Sequence, residues 1–137
     1  MFMDDEFNQL AANLQSQEVT LRTSALKDLA QYPSGDARIL PLLETLLQDK
    51  TPCIVMLPYR FGEVRWLAAH ALAAEYAALG IAKTVRLEGV VRPINTQEFA
   101  TLEQAANLKS TGGVQGVLAT FARLQELGSL PTCVLEI

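Results

Sequence analysis

Positive charge is scarce and scattered in this sequence. Eleven lysines and arginines stand against fifteen acidic residues, a net charge of −4 over 137 residues. No basic stripe is present to follow a phosphate backbone, so nucleic acid is not an expected partner. Lys83, Arg86 and Arg92 come closest to a cluster, but Glu88 sits among them, which suits a solvated strand or loop edge better than an anion site. Histidine occurs once, as His70, and cysteine twice, as Cys53 and Cys133, with no C-x-x-C spacing. That is too few ligands for an ordinary four-ligand zinc site, and no metal or other cofactor is expected. Both thiols are expected to be reduced and at least partly buried, as in cytoplasm. No apolar run approaches the roughly 18 residues of a membrane-spanning helix. The start, Met1-Phe2-Met3-Asp4-Asp5-Glu6, is acidic where a secretory signal is basic. The expectation is a soluble cytoplasmic chain that engages neither membrane nor nucleic acid.

What is present is apolar. Half the residues are hydrophobic and 19% are charged, enough for one packed domain over residues 1–137. A chain of this length buries roughly 70% of its unfolded surface and needs no disulfide or metal staple.

The first eighty residues repeat. Leu21-Arg22-Thr23-Ser24-Ala25-Leu26-Lys27-Asp28-Leu29-Ala30 and Val64-Arg65-Trp66-Leu67-Ala68-Ala69-His70-Ala71-Leu72-Ala73 both read aliphatic-Arg-x-x-Ala-x-x-x-Leu-Ala, 43 positions apart. Their apolar members fall at helical spacing and define one buried stripe in each. Each is preceded by another helical pattern: Phe7, Leu10 and Leu14, then Leu40, Leu43 and Leu47, 33 positions apart. The first helix is predicted from about Asp4 to Leu14 and the third from about Arg38 to Gln48, after the Tyr32-Pro33-Ser34-Gly35 break. Pro41 stands near the first turn, where its missing donor costs least.

Two helix pairs in register resemble HEAT-like repeats over residues 4–80, and Asp36-Ala37-Arg38-Ile39-Leu40-Pro41-Leu42-Leu43 resembles a HEAT first helix. The resemblance implies antiparallel helix pairs stacked as a short solenoid, most often a protein-binding scaffold. In that family the arginine helps fix the turn within a repeat, so structural roles are implied for Arg22 and Arg65.

The two offsets differ by ten, which places an insertion at residues 50–61, within the second pair. Turns are ordinarily polar, yet Pro52-Cys53-Ile54-Val55-Met56-Leu57-Pro58-Tyr59-Arg60-Phe61 is apolar and holds Met and aromatic side chains. Two readings stand: a loop that folds back to cap or fill the core, or a binding face.

Beyond Gly80, a C-cap signal, the pattern changes. Residues 84–91 alternate like a strand until Gly89, and Asn95-Thr96-Gln97-Glu98 is a capping-box arrangement opening a helix over about 96–108. After Ser110-Thr111-Gly112-Gly113 a second amphipathic helix carries Val114, Leu118, Phe121, Leu124 and Leu127, and residues 130–137 read as a short strand. The fold class expected is therefore mainly α: HEAT-like pairs, a helical cap over 84–137, and two short strands that could pair at its edge.

Catalytic signals are sparse. Any Ser-His-Asp or Cys-His arrangement must use His70, which lies mid-helix one turn after Trp66, opposite Val64, Leu67, Ala68 and Leu72. A histidine packed against a helix layer is the simpler reading. Arg60, Glu63 and Arg65 surround Trp66 and suit either a polar pocket beside the insertion or an ion pair at a helix start. The Ser110–Gly116 stretch lacks the Gly-Lys-Ser/Thr ending of a phosphate loop and reads as an inter-helix turn. The function expected is a non-catalytic protein–protein interaction module whose contacts are Ile54, Met56, Leu57, Tyr59, Arg60 and Trp66, since aromatic, Met and Arg side chains are enriched at interfaces. The partner is another protein or a second copy of the chain. Two alternatives remain open: a HEAT-like subunit of a bilin lyase or other tetrapyrrole-handling protein, which the resemblance allows, and an acidic inhibitor of the immunity-protein type.

Overall fold

The computed structural model describes residues 3–137; Met1 and Phe2 of the acidic start lie outside them. Helix α1 (Asp4–Leu14) opens with Asp4, Asp5 and Glu6 on its positive end, and α2 (Val19–Gln31) stops before Pro33. A 3-10 turn (Ala37–Ile39), capped by the Asp36 carboxylate accepting from the Arg38 backbone N–H, leads into α3 (Leu40–Leu46). The third helix is thus shorter than the periodicity suggested at both ends: residues 37–39 wind more tightly, and the helix stops at Leu46. Helix α1 packs on α2, α3 on α4 (Val64–Ala78), and α2 on α4.

Most of the stretch expected as an insertion at 50–61 belongs to a β-hairpin over residues 52–63 and is not an apolar loop. Strand β1 (Pro52–Met56) runs antiparallel to β2 (Arg60–Glu63), which passes directly into α4. Farther on come β3 (Arg86–Val91), β4 (Ile94–Asn95), α5 (Thr96–Ala105), α6 (Gly113–Glu126) and β5 (Thr132–Glu136). The strands make two small antiparallel sheets, ordered β1-β2-β4 and β3-β5. The described chain is 54% helix and 16% strand, so the mainly α expectation of a short HEAT-like solenoid with a helical cap is corrected to a mixed α/β fold. The last strands do pair, Leu87 opposite Leu135 and Val90 opposite Cys133.

The physical reason for the correction lies in β1. Cys53 and Val55 are buried with the side chains of α1–α4, whereas Ile54 packs with Phe61 in a second cluster built on Phe99, Phe121 and Leu124. A strand with apolar surroundings on both faces reads as a continuous apolar run, and its period of two is hidden. Gly62 allows the hairpin to close: a Cβ there would stand 2.9 Å from a methyl of Val55. The Phe61 and Phe99 rings meet tilted at 50°, with centroids 5.8 Å apart.

Two buried carboxylates tie these layers. Glu75 is fully buried in α4 and accepts from the backbone N–H of Ser34 (2.9 Å), the Ser34 hydroxyl (2.6 Å) and the N–H of Gly35 (2.9 Å). It holds the turn after α2 in place. Glu63, 2% exposed, accepts from Arg65 Nε (2.7 Å), the Val91 N–H (3.3 Å) and Gln125 Nε2 (2.5 Å). Arg65 also donates to the Gly89 carbonyl at 2.5 Å, and Gln125 to that of Lys50 at 2.8 Å. Removing one partner of a buried pair strands the other. Glu63→Ala is therefore expected to cost about 3–5 kcal/mol in urea unfolding; a loss below about 1 kcal/mol would show that the carboxylate does not join the two halves.

Candidate functional site

The hairpin divides its residues between folding and exposure. Its strands are anchored in the two cores, but at its tip Leu57 is 76% exposed, Tyr59 51% and Met56 42%. Arg60 is also exposed and stands opposite Met56 in the register, beside a bulge between Ile54 and Met56. Of the six expected contact residues, Met56, Leu57, Tyr59 and Arg60 therefore gather at the tip. Trp66 lies half-buried on the first turn of α4, and Ile54 turns away into the second core.

Between the hairpin and the helices lies a cleft of about 560 Å³. Lys27, Ala30 and Gln31 line it from α2 at one-turn spacing, and Trp66, Leu67 and His70 do the same from α4. Val55, Met56 and Leu57 close the third side. The walls are apolar, Lys27 is the only charged side chain in the lining, and no carboxylate is present. The rings of Trp66 and His70, one helical turn apart, are tilted by 47° with centroids 5.1 Å apart. His70 Nε2 is shut off from solvent and has no hydrogen-bond partner among the described residues.

A neighbouring cleft of about 480 Å³ beside Arg22 differs in kind. Arg22 donates to the Ser16 carbonyl (2.7 Å) and the Thr51 hydroxyl (3.2 Å). Its Nε lies 3.1 Å from Asp49 Oδ2 but off the hydrogen-bond direction, so that contact is an ion pair. Its charge is thus engaged in joining the α1–α2 turn to the segment before β1. The matching position in the second pair, Arg65, works differently: its side chain goes to Glu63 and Gly89, and only its backbone N–H reaches Asp49, at the carbonyl (2.8 Å). The ion pair read at the start of α4 is present as Glu63–Arg65.

Other sequence signals resolve into structure. Ser110 is tied to Glu103 through its N–H (2.8 Å) and its hydroxyl, while its oxygen meets the Thr120 hydroxyl at 2.9 Å, a braced inter-helix turn. Gly116 is required there, because a Cβ would strike Thr111. Arg86 pairs with Glu88 and Glu136, Arg92 with Glu98, and Lys83 stands over the Tyr76 ring, so the basic trio is dispersed. Asn95 caps α5 by accepting from the Glu98 N–H at 2.8 Å, whereas the Glu98 side chain turns to Arg92. Cys53 is buried, which pushes its thiol pKa up to about 12, far from a nucleophile's range. Among the described residues no group of three His, Cys, Asp or Glu side chains is placed to hold a metal, and no helix is long and apolar enough to cross a membrane.

Lys27, Ala30, Gln31 and Val55 were not singled out from the sequence. Lys27 looks like any charged residue on a helix surface, and only the packing of α2 against the hairpin sets it at a cleft. Comparison with family models, curated proteins and solved structures finds no match for the chain.

Burial holds the His70 pKa below its usual 6.5, so the ring is neutral at pH 7. The hairpin and α4 bring no other charged group to the cleft, and α2 brings only the cation Lys27. The unfolded chain takes up a proton near pH 6.5 that the folded one resists. The stability associated with the neutral ring is therefore full above pH 6.5 and is lost as pH falls through the lower folded value. Urea melts between pH 7.5 and 5 are expected to lose more stability in the wild type than in His70→Phe; equal slopes would refute this.

Proposed function

We propose that the protein is a non-catalytic interaction module whose contact surface is the hairpin tip together with the adjoining cleft between α2 and α4. One observation carries the reading: Met56, Leu57 and Tyr59 are apolar and exposed at the end of a hairpin whose strands are already anchored. Burying Cys53, Val55, Ile54 and Phe61 accounts for the hairpin's part in folding, and none of that burial calls for three more exposed apolar side chains at its end. Arg60 and Trp66 flank the tip with residue types that anchor interfaces. The partner on this reading is another protein. A cytoplasmic setting is in keeping with two unpaired cysteines.

The test compares affinity capture by the wild type and by Met56→Ala/Tyr59→Ala, both shown to be folded. Because the replaced side chains are about half exposed and lie outside both cores, the double variant is expected to melt within about 1 kcal/mol of the wild type. It is also expected to lose a partner that the wild type retains. A loss of several kcal/mol would make the tip part of the core, and identical capture by both proteins would remove it as the contact surface.

A further inference from the structure

The strands of this fold differ in how their edges are closed. Strand β2 is paired on both sides, and β4 is two residues long. Strand β1 begins at Pro52, carries the bulge between Ile54 and Met56, and packs against α6. The outer side of β3 is occupied by side chains: Glu63 accepts from the Val91 N–H, and Arg65 donates to the carbonyl of Gly89, within the register shift. Short length, proline, bulges and coverage are the means by which proteins keep a sheet edge from recruiting another strand. Strand β5 has none of them. Its residues, Thr132-Cys133-Val134-Leu135-Glu136, include no Pro or Gly, the bulge of its sheet lies in β3, and β3 is the one strand beside it.

The hydrogen bonds show which groups that edge offers. Val85 and Ile137 exchange N–H to C=O bonds at 2.9 and 2.8 Å, and the Pro131 carbonyl accepts from the Arg92 N–H. Alternation along an antiparallel strand then turns the backbone of Cys133 and Leu135 toward β3, and that of Thr132, Val134 and Glu136 away from it. No backbone hydrogen bond among the described residues reaches that outer side. The side chain of Val134, at its middle, is 50% exposed.

Going beyond the hairpin-tip reading, we infer that the outer edge of β5 pairs antiparallel with β5 of a second copy of the chain, about a twofold axis at Val134. The two β3-β5 sheets then join into one. The strand fits itself in this register: Val134 meets Val134, Thr132 meets Glu136, and Cys133 meets Leu135. Each outward N–H and C=O gains a partner. Cys133 and Leu135 pack on the helical core, so apolar residues face each other across the junction on that side. Glu136 is the only charged residue of β5; it stands 3.4 Å from Arg86 of its own sheet and would face a threonine. Parallel pairing of the same strands would instead bring the two glutamates together, and like charges side by side oppose pairing. Five residues a side make a small interface, so the dimer is expected to be reversible and concentration-dependent.

Sedimentation equilibrium from low micromolar to submillimolar concentration is expected to show the wild type passing from monomer to dimer. Val134→Lys and Val134→Glu each set like charges across the axis and should weaken association at least roughly tenfold. An equimolar mixture of the two should restore it, because lysine then faces glutamate. Amide exchange in the wild type needs no variant: the N–H groups of Thr132, Val134 and Glu136 should exchange more slowly as concentration rises. A monomer at every concentration overturns the assignment, as does a dimer that both variants retain or one in which those amides keep a single rate. A dimer that Leu57→Glu dissociates also overturns it, by placing the contact at the hairpin tip. So does a monomeric wild type whose captured protein is lost with Val134→Lys, which would give the edge to another protein's strand. If Met56→Ala/Tyr59→Ala captures as the wild type does while the dimer persists, the tip reading falls and the β5 pairing stands.

Discussion

The carboxylate of Glu63 sits where distant parts of the chain converge. It accepts from Arg65 on α4, from the backbone of Val91 on β3 and from Gln125 on α6, while Gln125 and Arg65 reach on to the carbonyls of Lys50 and Gly89. A charge this deep is costly unless its neighbours satisfy it, and here each neighbour belongs to a different stretch of chain. The segment after Gly80 would be marginal as a separate domain. It is joined to the first four helices through this carboxylate and through the strands that flank it.

The hairpin is the other half of that junction. Glu63 is the last residue of β2, and the two strands separate the helical core from the cluster around Phe121. Because β1 contributes Cys53 and Val55 to one side and Ile54 to the other, the hairpin cannot shift by one residue without exchanging the contents of both cores. This rigidity projects Met56, Leu57 and Tyr59 outward in a fixed place, which suits a contact surface better than a free loop would.

Polar groups separate structural from functional candidates. Glu75, Glu63, Arg65 and Arg22 are all engaged by neighbours within the fold, and each explains how one turn or junction is held. His70 is the exception, with a shielded ring nitrogen that nothing in the fold answers. His70 and Lys27 line the cleft that adjoins the exposed apolar tip.

The sequence by itself determined the helices and their buried stripes. Ala25, Leu26, Leu29, Leu67, Ala68 and Leu72 are all buried, the break after Gln31 falls at the Pro33 signal, and α5 begins at the Asn95 cap. These depend on residues three or four apart or on a local turn, so a short window of sequence holds the whole signal. The hairpin was visible only as an apolar insertion, because burial on both faces erased its alternation. The different tasks of Arg22 and Arg65 were hidden behind one shared motif. Glu63 meets Gln125 across 62 positions of sequence and Glu75 meets Ser34 across 41, and no periodicity encodes which distant donors will surround a carboxylate. Those pairings, like the cleft that brings Lys27 to His70, were decided by tertiary packing, since burial and hydrogen-bond satisfaction are properties of neighbours in space rather than in sequence.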